Sequence, residues 1–136
     1  MKQFYGMSQR GNLDEALQGL YQPQFIMLFS NNDQFERHVA ELEKRFPGVP
    51  SIGCIGMSYR TGVGVVAFSD GVTAAANVLE GASTMPVKYI HRLEQDMQTV
   101  GGSQRDTVCI DFCAGNDACV LTTINTVLRK RGISLM

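Results

Sequence analysis

Apolar residues along the chain occur either at helical spacing or in short continuous runs. In residues 12–20 the apolar positions with helical spacing are Leu13, Ala16, Leu17 and Leu20. We expect a short amphipathic helix here, with Asn12 and Glu15 in the pattern of a capping box. Pro23 ends that pattern, and the run FIMLFS at residues 25–30 is typical of a strand buried on both faces of a sheet.

The clearest helical pattern lies in residues 33–46, where the apolar positions are Phe35, Val39, Leu42 and Phe46. Charged residues occupy the opposite face, and Asp33 with Glu36 offers a second capping pair. The sequence FPGVP ends this helix, and residues 51–57 follow as the next predicted strand. A strand, a helix and a strand with short connections predict a right-handed βαβ unit.

The segment after Tyr59 predicts two extended stretches, because GVGVVAF precedes Asp70-Gly71 and VTAAANVLE follows it. Asp-Gly is a favoured hairpin turn, since both positions tolerate a positive φ, and we therefore expect a β-hairpin here. Residues 86–100 then carry an apolar stripe that starts with proline and ends at two glycines, which predicts a further helix. A second buried-strand run, VCIDFC, follows at residues 108–113.

These elements place the chain in the α/β class. We expect a mixed sheet built from βα units, with a β-hairpin insertion and with helices packed on the sheet. The length of 136 residues suits one domain, so residues 1–136 are interpreted as a single domain.

Residues 25–57 and 108–136 share an order of features that suggests an internal repeat. Each segment has a buried strand, a turn that closes with Asn-Asp, and an amphipathic helix that leads into a basic pair and a glycine. The copies are about 84 residues apart. Coincidence is the alternative, because Asn and Asp cap many helices. The second copy stops where its last strand should begin, so we expect an incomplete N-terminal part of a larger domain, or a partner chain that supplies the missing sheet neighbours.

The charge balance argues against several classes of protein. The chain has 12 Lys and Arg against 13 Asp and Glu, a net charge of −1, and one short basic block at residues 129–131. We therefore expect no nucleic-acid partner. The sequence contains neither a signal-peptide core nor a window of about 18 apolar residues, so we expect no membrane contact and a cytoplasmic location.

Two candidate chemistries rest on cysteine and glycine. No CxxC pair occurs among the four cysteines, and His38 and His91 lie in separate helical patterns, so we expect no metal site. Residues 62–67, GVGVVA, fit the dinucleotide fingerprint, but the residues after its glycines, Val65 to Phe68, are β-branched and aromatic and lead into a turn, so no helix starts and no cofactor is expected. A thiol nucleophile at Cys54 or Cys113 is the enzymatic alternative to a packed thiol.

Polar and small residues follow three predicted strands. If those strands are parallel, the loops meet at one edge of the sheet, where open α/β sheets bind their ligands. The candidate ligand-binding residues are Ser30, Asn31, Asn32, Asp33, Cys54, Gly56, Met57, Ser58, Cys113, Asn116 and Asp117. Helix N-termini suit a carboxylate, and Asp33 or Asp117 suits an ammonium group, which describes an amino-acid-like ligand. Helix capping is the structural alternative for the Asn-Asp turns. Asp111 interrupts an apolar run, so we expect it to face a polar cleft or a partner.

FIMLFSNNDQFERHVAELEKRFPGVPSIGCIGMS, the hairpin-like GVGVVAFSDG and the later VCIDFCAGND together resemble the FIST N-terminal domain. The resemblance runs from about Phe25 to Met136, and its most specific part is the strand that leads into Gly53-Cys54 and Gly56. It implies an intracellular sensory domain, attached to or associated with a signalling module such as a chemoreceptor or a histidine kinase. It also implies a small ligand such as an amino acid.

The sequence therefore predicts a ligand-binding sensory domain in signal transduction, one that needs no catalytic step. A cysteine-dependent enzyme is one alternative. The other is a protein-interaction module without a ligand, whose exposed sheet edge docks another domain or a second copy and so predicts a homo-oligomer.

Overall fold

The computed structural model describes residues 1–56, 62–82, 84, 86–101, 106–112, 118–130 and 132–135, with only the backbone described at residues 86, 87, 118–121, 134 and 135. The chain forms two compact units, Met1–Ala74 and Ala75–Met136. None of the helices in the described ranges is both long enough and apolar enough to cross a membrane.

The first unit is a four-stranded mixed sheet with two helices. Its elements are β1 (Lys2–Ser8), α1 (Leu13–Ala16), β2 (Phe25–Ser30), α2 (Phe35–Arg45), β3 (Ser51–Ile55) and β4 (Val63–Ser69). The strand order is β1-β4-β2-β3; β2 and β3 are parallel, and β4 is antiparallel to both β1 and β2. β1, β2 and β3 therefore run in the same direction. The α/β class, the mixed sheet and the parallel βαβ unit are confirmed.

The core of this unit lies between one face of the sheet and the two helices. Alternate residues of β2 and β4 point into it and meet the apolar faces of α1 and α2. The buried members are Leu13, Ala16, Leu17, Ile26, Leu28, Leu42, Val63, Val65 and Ala67. Burying one such Leu or Ile side chain contributes about 1.5–3 kcal/mol. α1 approaches β1 so closely that a Cβ atom on Gly6 would lie 1.9 Å from the Ala16 carbonyl oxygen.

α2 differs from the predicted helix in its buried face and in its start. His38 and Leu42 are the buried residues, whereas Val39 is 40% exposed. A short 3₁₀ turn, Asn32–Gln34, precedes the helix. The N-cap residue of the turn is Asn31 and that of the helix is Gln34, and neither side chain makes a capping hydrogen bond. The predicted cap at Asp33 is therefore wrong, because the 3₁₀ turn moves the start of the helix beyond it.

The predicted β-hairpin is also wrong, although its turn is present. Asp70 and Gly71 both have positive φ, 66° and 86°. Residues 72–79 nevertheless form no strand. The reason is that β4 is already paired with β1 on one edge and with β2 on the other, which leaves no free edge for a second hairpin arm.

The second unit contains α3 (Ile90–Thr99), β5 (Val108–Cys109), α4 (Ala118–Arg129) and β6 (Ser134–Leu135), with β5 and β6 parallel. Of the described part of the predicted strand, residues 108–112, Val108 and Cys109 form β5. Met97 of α3 packs with Ile124, Val127 and Leu128 of α4 and with Ile133. β5, α4 and β6 begin at residues 108, 118 and 134, whereas β2, α2 and β3 begin at 25, 35 and 51, a constant offset. The internal repeat and the single domain remain predictions.

Candidate functional site

The carboxyl ends of three strands form one edge of the first unit. β1 ends at Ser8, β2 at Ser30 and β3 at Ile55, and β4 begins at the same edge. The Gly56 N–H donates to the Ser30 carbonyl at 3.2 Å, so the chain leaving β3 is tied to the end of β2. Loops from separate parts of the sequence therefore meet here, as at the ligand sites of open α/β sheets.

Ser8 organises the loop between β1 and α1. Its side chain is buried; Oγ donates to Glu15 Oε2 at 2.7 Å and accepts the N–H groups of Arg10 at 3.3 Å and Asn12 at 3.1 Å. Asn12 Oδ1 in turn accepts the N–H groups of Asp14 and Glu15, which confirms it as the N-cap of α1. Because Ser8 makes three hydrogen bonds out of contact with water, it holds this loop in one conformation.

His38 joins three segments at the same edge. Its Nδ1 atom lies 2.7 Å from Ser30 Oγ, and its Nε2 atom lies 3.1 Å from the Gly11 carbonyl oxygen. Both His38 and Ser30 are buried. A carbonyl oxygen only accepts hydrogen bonds, so Nε2 carries a proton. The φ angle of Gly11 is 71°, and glycine adopts this backbone conformation more readily than other residues do.

A cavity of about 430 Å³ lies where these loops meet α2. It is lined by residues 10–14 and by five residues of the 3₁₀ turn and α2, namely Gln34, Arg37, His38, Glu41 and Arg45. This volume is within the range of small-molecule sites.

Arg45 connects the two sides of the cavity. Its guanidinium pairs with Asp14 of α1 and with Glu41, one turn earlier in α2, at 3.2 Å from Glu41. The hydrogen bond to Asp14 raises the pKa of Arg45, and Glu41 acts in the same direction. The positive charge of Arg45 and the two carboxylates of the lining are therefore largely committed to one another.

The other two guanidiniums of the lining have no such partner. Within the described part of the chain, neither Arg10 nor Arg37 makes an ion pair. Gln34 carries an unpaired acceptor, because its Oε1 atom is shielded from water and accepts no hydrogen bond from the described residues. A shielded acceptor without a donor costs about 1–3 kcal/mol. The cavity thus offers two cationic donors that have no ion-pair partner among the described residues.

Comparison with known proteins identifies the family. The model of the FIST N domain matches residues 24–136, well over half of the chain. The chain belongs to the FIST N domain family. That family is one of sensory domains in signal transduction. Searches of the curated proteins and of the solved structures found no match to this chain.

The FIST N match begins just before β2, so the segment that precedes it lies outside the match. That segment nevertheless supplies β1, α1 and residues 10–14 of the cavity lining. The cavity is therefore assembled from the FIST N region and from the residues before it.

Among the described residues, the candidate site residues predicted from the sequence lie at or next to the carboxyl ends of β2 and β3, and none of them lines the cavity. Ser30 and Asn31 are buried, Asn32 and Asp33 are exposed, and Cys54 is partly buried near the end of β3. Gly56 follows β3 and binds Ser30 as described above. The remaining candidates, Met57, Ser58, Cys113, Asn116 and Asp117, lie outside the described residues. Of the three predicted loops, the structure brings together those after β2 and β3.

Cys54 and His38 lie on opposite faces of the sheet. Cys54 is paired with Phe29 in the parallel register, and Ser30, which contacts His38, is the next residue of β2. Because neighbouring residues of a strand point to opposite faces, the Cys54 thiol points away from the His38 imidazole. His38 is therefore not placed to act as a base for Cys54.

Sequence reasoning missed Ser8, Arg10, Gln34 and Arg37 as members of this site. His38 carried a usable signal, since it lies four residues before Leu42 and three after Phe35 and so falls on the apolar stripe of α2. Arg10 and Arg37 gave no such sequence signal, because they are exposed arginines at unrelated positions, and only the folded sheet brings them to one cavity.

The second unit contains a separate polar group. Burial raises the pKa of the Cys109 thiol, and the carboxylates of Asp111 and Asp96 add to this rise. Asp111 Oδ2 is shielded from water and has no hydrogen-bond partner among the described residues. Asp96 accepts two hydrogen bonds from Asn77. No group of three or more metal-binding side chains occurs in the described ranges.

Proposed function

We propose that the chain is the small-molecule-binding part of an intracellular signal-transduction protein, and that its ligand is a polar metabolite of amino-acid size. One observation carries this proposal: the cavity at the carboxyl edge of the sheet is lined by Arg10 and Arg37, which have no ion-pair partner among the described residues. Charged groups at a cavity without a protein partner are suited to recognise a ligand.

The hydrogen bonds and the ion pair beside the cavity connect separate segments, which suits a binding site whose ligand changes the conformation of the domain. His38 of α2 forms hydrogen bonds with Ser30 at the end of β2 and with Gly11 in the loop after β1, and Arg45 pairs α2 with Asp14 of α1. A ligand that binds between the loop and α2 favours the conformation in which both are held together. The shift in population is then available to an attached or associated signalling module, such as a chemoreceptor or a histidine kinase, in the cytoplasm.

The proposal requires no chemical step. The side chain with the strongest claim to be a nucleophile, Cys54, points away from His38 and does not line the cavity. Binding and release of an unchanged ligand are therefore the proposed activity.

A thermal-shift screen of the 136-residue chain tests the proposal. The panel holds the 20 common L-amino acids, small hydroxy acids, nucleotides and sugars. A ligand that binds only the folded state at about 100 times its Kd adds roughly 2.7 kcal/mol of stability, so at least one small polar compound should raise Tm in a saturable manner.

The expected pattern is stabilisation by polar compounds of amino-acid size, with no shift from nucleotides. A screen in which no compound of the panel changes Tm at millimolar concentration contradicts the proposed function. A sedimentation-equilibrium run on the same sample tests the alternative of a protein-interaction module, because such a module should self-associate without any ligand.

A further inference from the structure

β3 forms one edge of the sheet in the first unit, and among the described residues it pairs only with β2. At the two ends of β3, the carbonyl of Pro50 and the N–H of Gly56 bond to β2. Successive residues of a strand direct their backbone polar groups alternately to its two sides. Ser51, Gly53 and Ile55 therefore direct their N–H and C=O groups away from β2, off the edge of the sheet.

This edge lacks the features that commonly prevent a strand from pairing with another chain. Its sequence, SIGCI, contains neither a charged residue nor a proline. Ser51, Gly53 and Ile55 are all exposed, Ile55 to 57%. A row of open backbone donors and acceptors of this kind accepts an extended segment of a partner as a further strand.

α2 provides side chains beside this edge. Phe35 lies over β3, since a Cβ atom on Gly53 would be 3.3 Å from Phe35 Cε2. Val39 follows Phe35 by one helical turn and so lies on the same side of α2. Arg37, which lines the cavity, is on the other side of His38, about 100° around the helix. Val39 therefore faces away from the cavity, and its 40% exposure leaves an apolar contact open next to β3.

Two carboxylates flank Val39. Glu36 and Glu43, three residues before it and four after it, share its face of α2. Both are exposed, and neither makes an ion pair within the described part of the chain. Antiparallel pairing of β3 with the same strand of a second copy would bring these carboxylates together with those of the other α2, and like charges repel. The charge therefore favours a basic partner over a second copy.

We propose that the β3 edge binds an extended segment of a partner protein in which an apolar residue stands between two basic residues on one face of the strand. Residues i and i+4 of a strand share a face and are about 13 Å apart. Glu36 and Glu43 are about 10.5 Å apart along the helix axis, a difference that flexible Lys or Arg side chains can span. Neither β3 nor these glutamates line the cavity, so the inference goes beyond the proposed function and gives a signalling partner a place to dock.

The experiment is an NMR titration of the ¹⁵N-labelled 136-residue chain with two synthetic peptides. The lysine peptide has seven residues, with valine in the middle, lysine two positions to either side and threonine elsewhere; the glutamate peptide has Glu in place of both Lys. The lysine peptide should bind with a Kd of about 1 mM or tighter and shift the amides of β3 most strongly. The glutamate peptide should not bind.

Hydrogen exchange in the same samples reports the pairing of the backbone. In the free chain the amides of Ser51, Gly53 and Ile55 should exchange quickly, whereas those of Ile52 and Cys54, which bond to β2, should exchange slowly. The lysine peptide should slow the exchange of the first three. This alternation distinguishes strand pairing from a contact made by side chains alone.

Charge exchange on α2 tests the two carboxylates. Glu36→Lys and Glu43→Lys should each raise the Kd of the lysine peptide about fivefold, and the double variant should prefer the glutamate peptide. Glu80→Lys is the matched control, since it changes the charge equally at an exposed position outside α2, and its Kd should stay within about twofold of the original chain.

Three outcomes would overturn the inference. Slow exchange of Gly53 and Ile55 in the dilute free chain would mean that the edge is already paired. Protection that grows with protein concentration in the absence of peptide, with a dimer in sedimentation equilibrium, would make a second copy the occupant. Equal binding of both peptides, or binding of neither, would remove the basic partner. Each of these results leaves the proposed function intact, because none of them involves the cavity.

Discussion

Ser30 Oγ and His38 Nδ1 lie 2.7 Å apart, and both side chains are buried beneath the edge of the sheet. His38→Ala leaves the Ser30 hydroxyl and the Gly11 carbonyl without that partner and opens a small void. We expect a loss of about 2–4 kcal/mol in the free energy of unfolding. Urea denaturation followed by the NMR signals of β2 measures this change.

His91 is the matched control, because the chain has two histidines and this one is exposed on α3, within hydrogen-bond distance of Gln95. His91→Ala should change the free energy of unfolding by less than about 0.5 kcal/mol. Equal effects of the two substitutions would mean that His38 does not join the three segments.

Gly6 is required by the close approach of α1 to β1. An added Cβ atom would lie 1.9 Å from the Ala16 carbonyl oxygen, which is backbone and cannot turn aside. Gly6→Ala should therefore lower the free energy of unfolding by about 2 kcal/mol or more. Gly56→Ala is the control, since its Cβ atom would meet nothing closer than Cys54 Sγ at 3.4 Å. Thermal melting by circular dichroism compares the two variants; a Tm for Gly6→Ala at or above that of Gly56→Ala would contradict this packing.

Gln34→Leu should leave the free chain as stable as before, or more stable by up to about 1 kcal/mol, because it removes a shielded oxygen that has no donor among the described residues. Gln18→Leu, at an exposed position, serves as the control. Urea denaturation measures both. A clear loss of stability in Gln34→Leu alone would show that the amide makes a structural hydrogen bond.

Cys109 should react slowly with alkylating reagents at neutral pH. Burial and the charges of Asp111 and Asp96 raise the pKa of its thiol, so less of the reactive thiolate is present at a given pH. Asp111→Asn removes one negative charge, lowers that pKa and should speed alkylation of Cys109. Asp106→Asn, exposed and not among the groups that raise this pKa, should have no effect. Peptide mass spectrometry reads the rate at each cysteine separately, and an unchanged Cys109 rate in Asp111→Asn would exclude the electrostatic contribution.

The α/β class and the parallel βαβ unit could be predicted because their signal is local. The apolar run of β2 and the helical spacing in α2 lie within single elements, and the connections between β2, α2 and β3 are short. β1 gave no such signal. Phe4 packs against the core on one face while Tyr5 and Met7 are 70% and 40% exposed on the other, so apolar residues occupy both faces and alternation is lost.

The candidate site could be predicted only in its position. Parallel strands predict a shared carboxyl edge, and β2 ends there at Ser30. Its chemistry depends on His38, which contacts Gly11 across 27 residues of sequence, and on Arg10 meeting Arg37 at one cavity. Such pairings are properties of the folded sheet, and local sequence spacing does not encode them.

Ligand binding at the cavity is tested by titrating the ¹⁵N-labelled chain with the amino and hydroxy acids of the thermal-shift panel and following the backbone amide chemical shifts. A compound that binds should shift the amides of residues 10–14 and 34–38 most strongly, because residues of these two segments line the cavity. Saturable shifts confined to the second unit, or no shift with any compound, would contradict it.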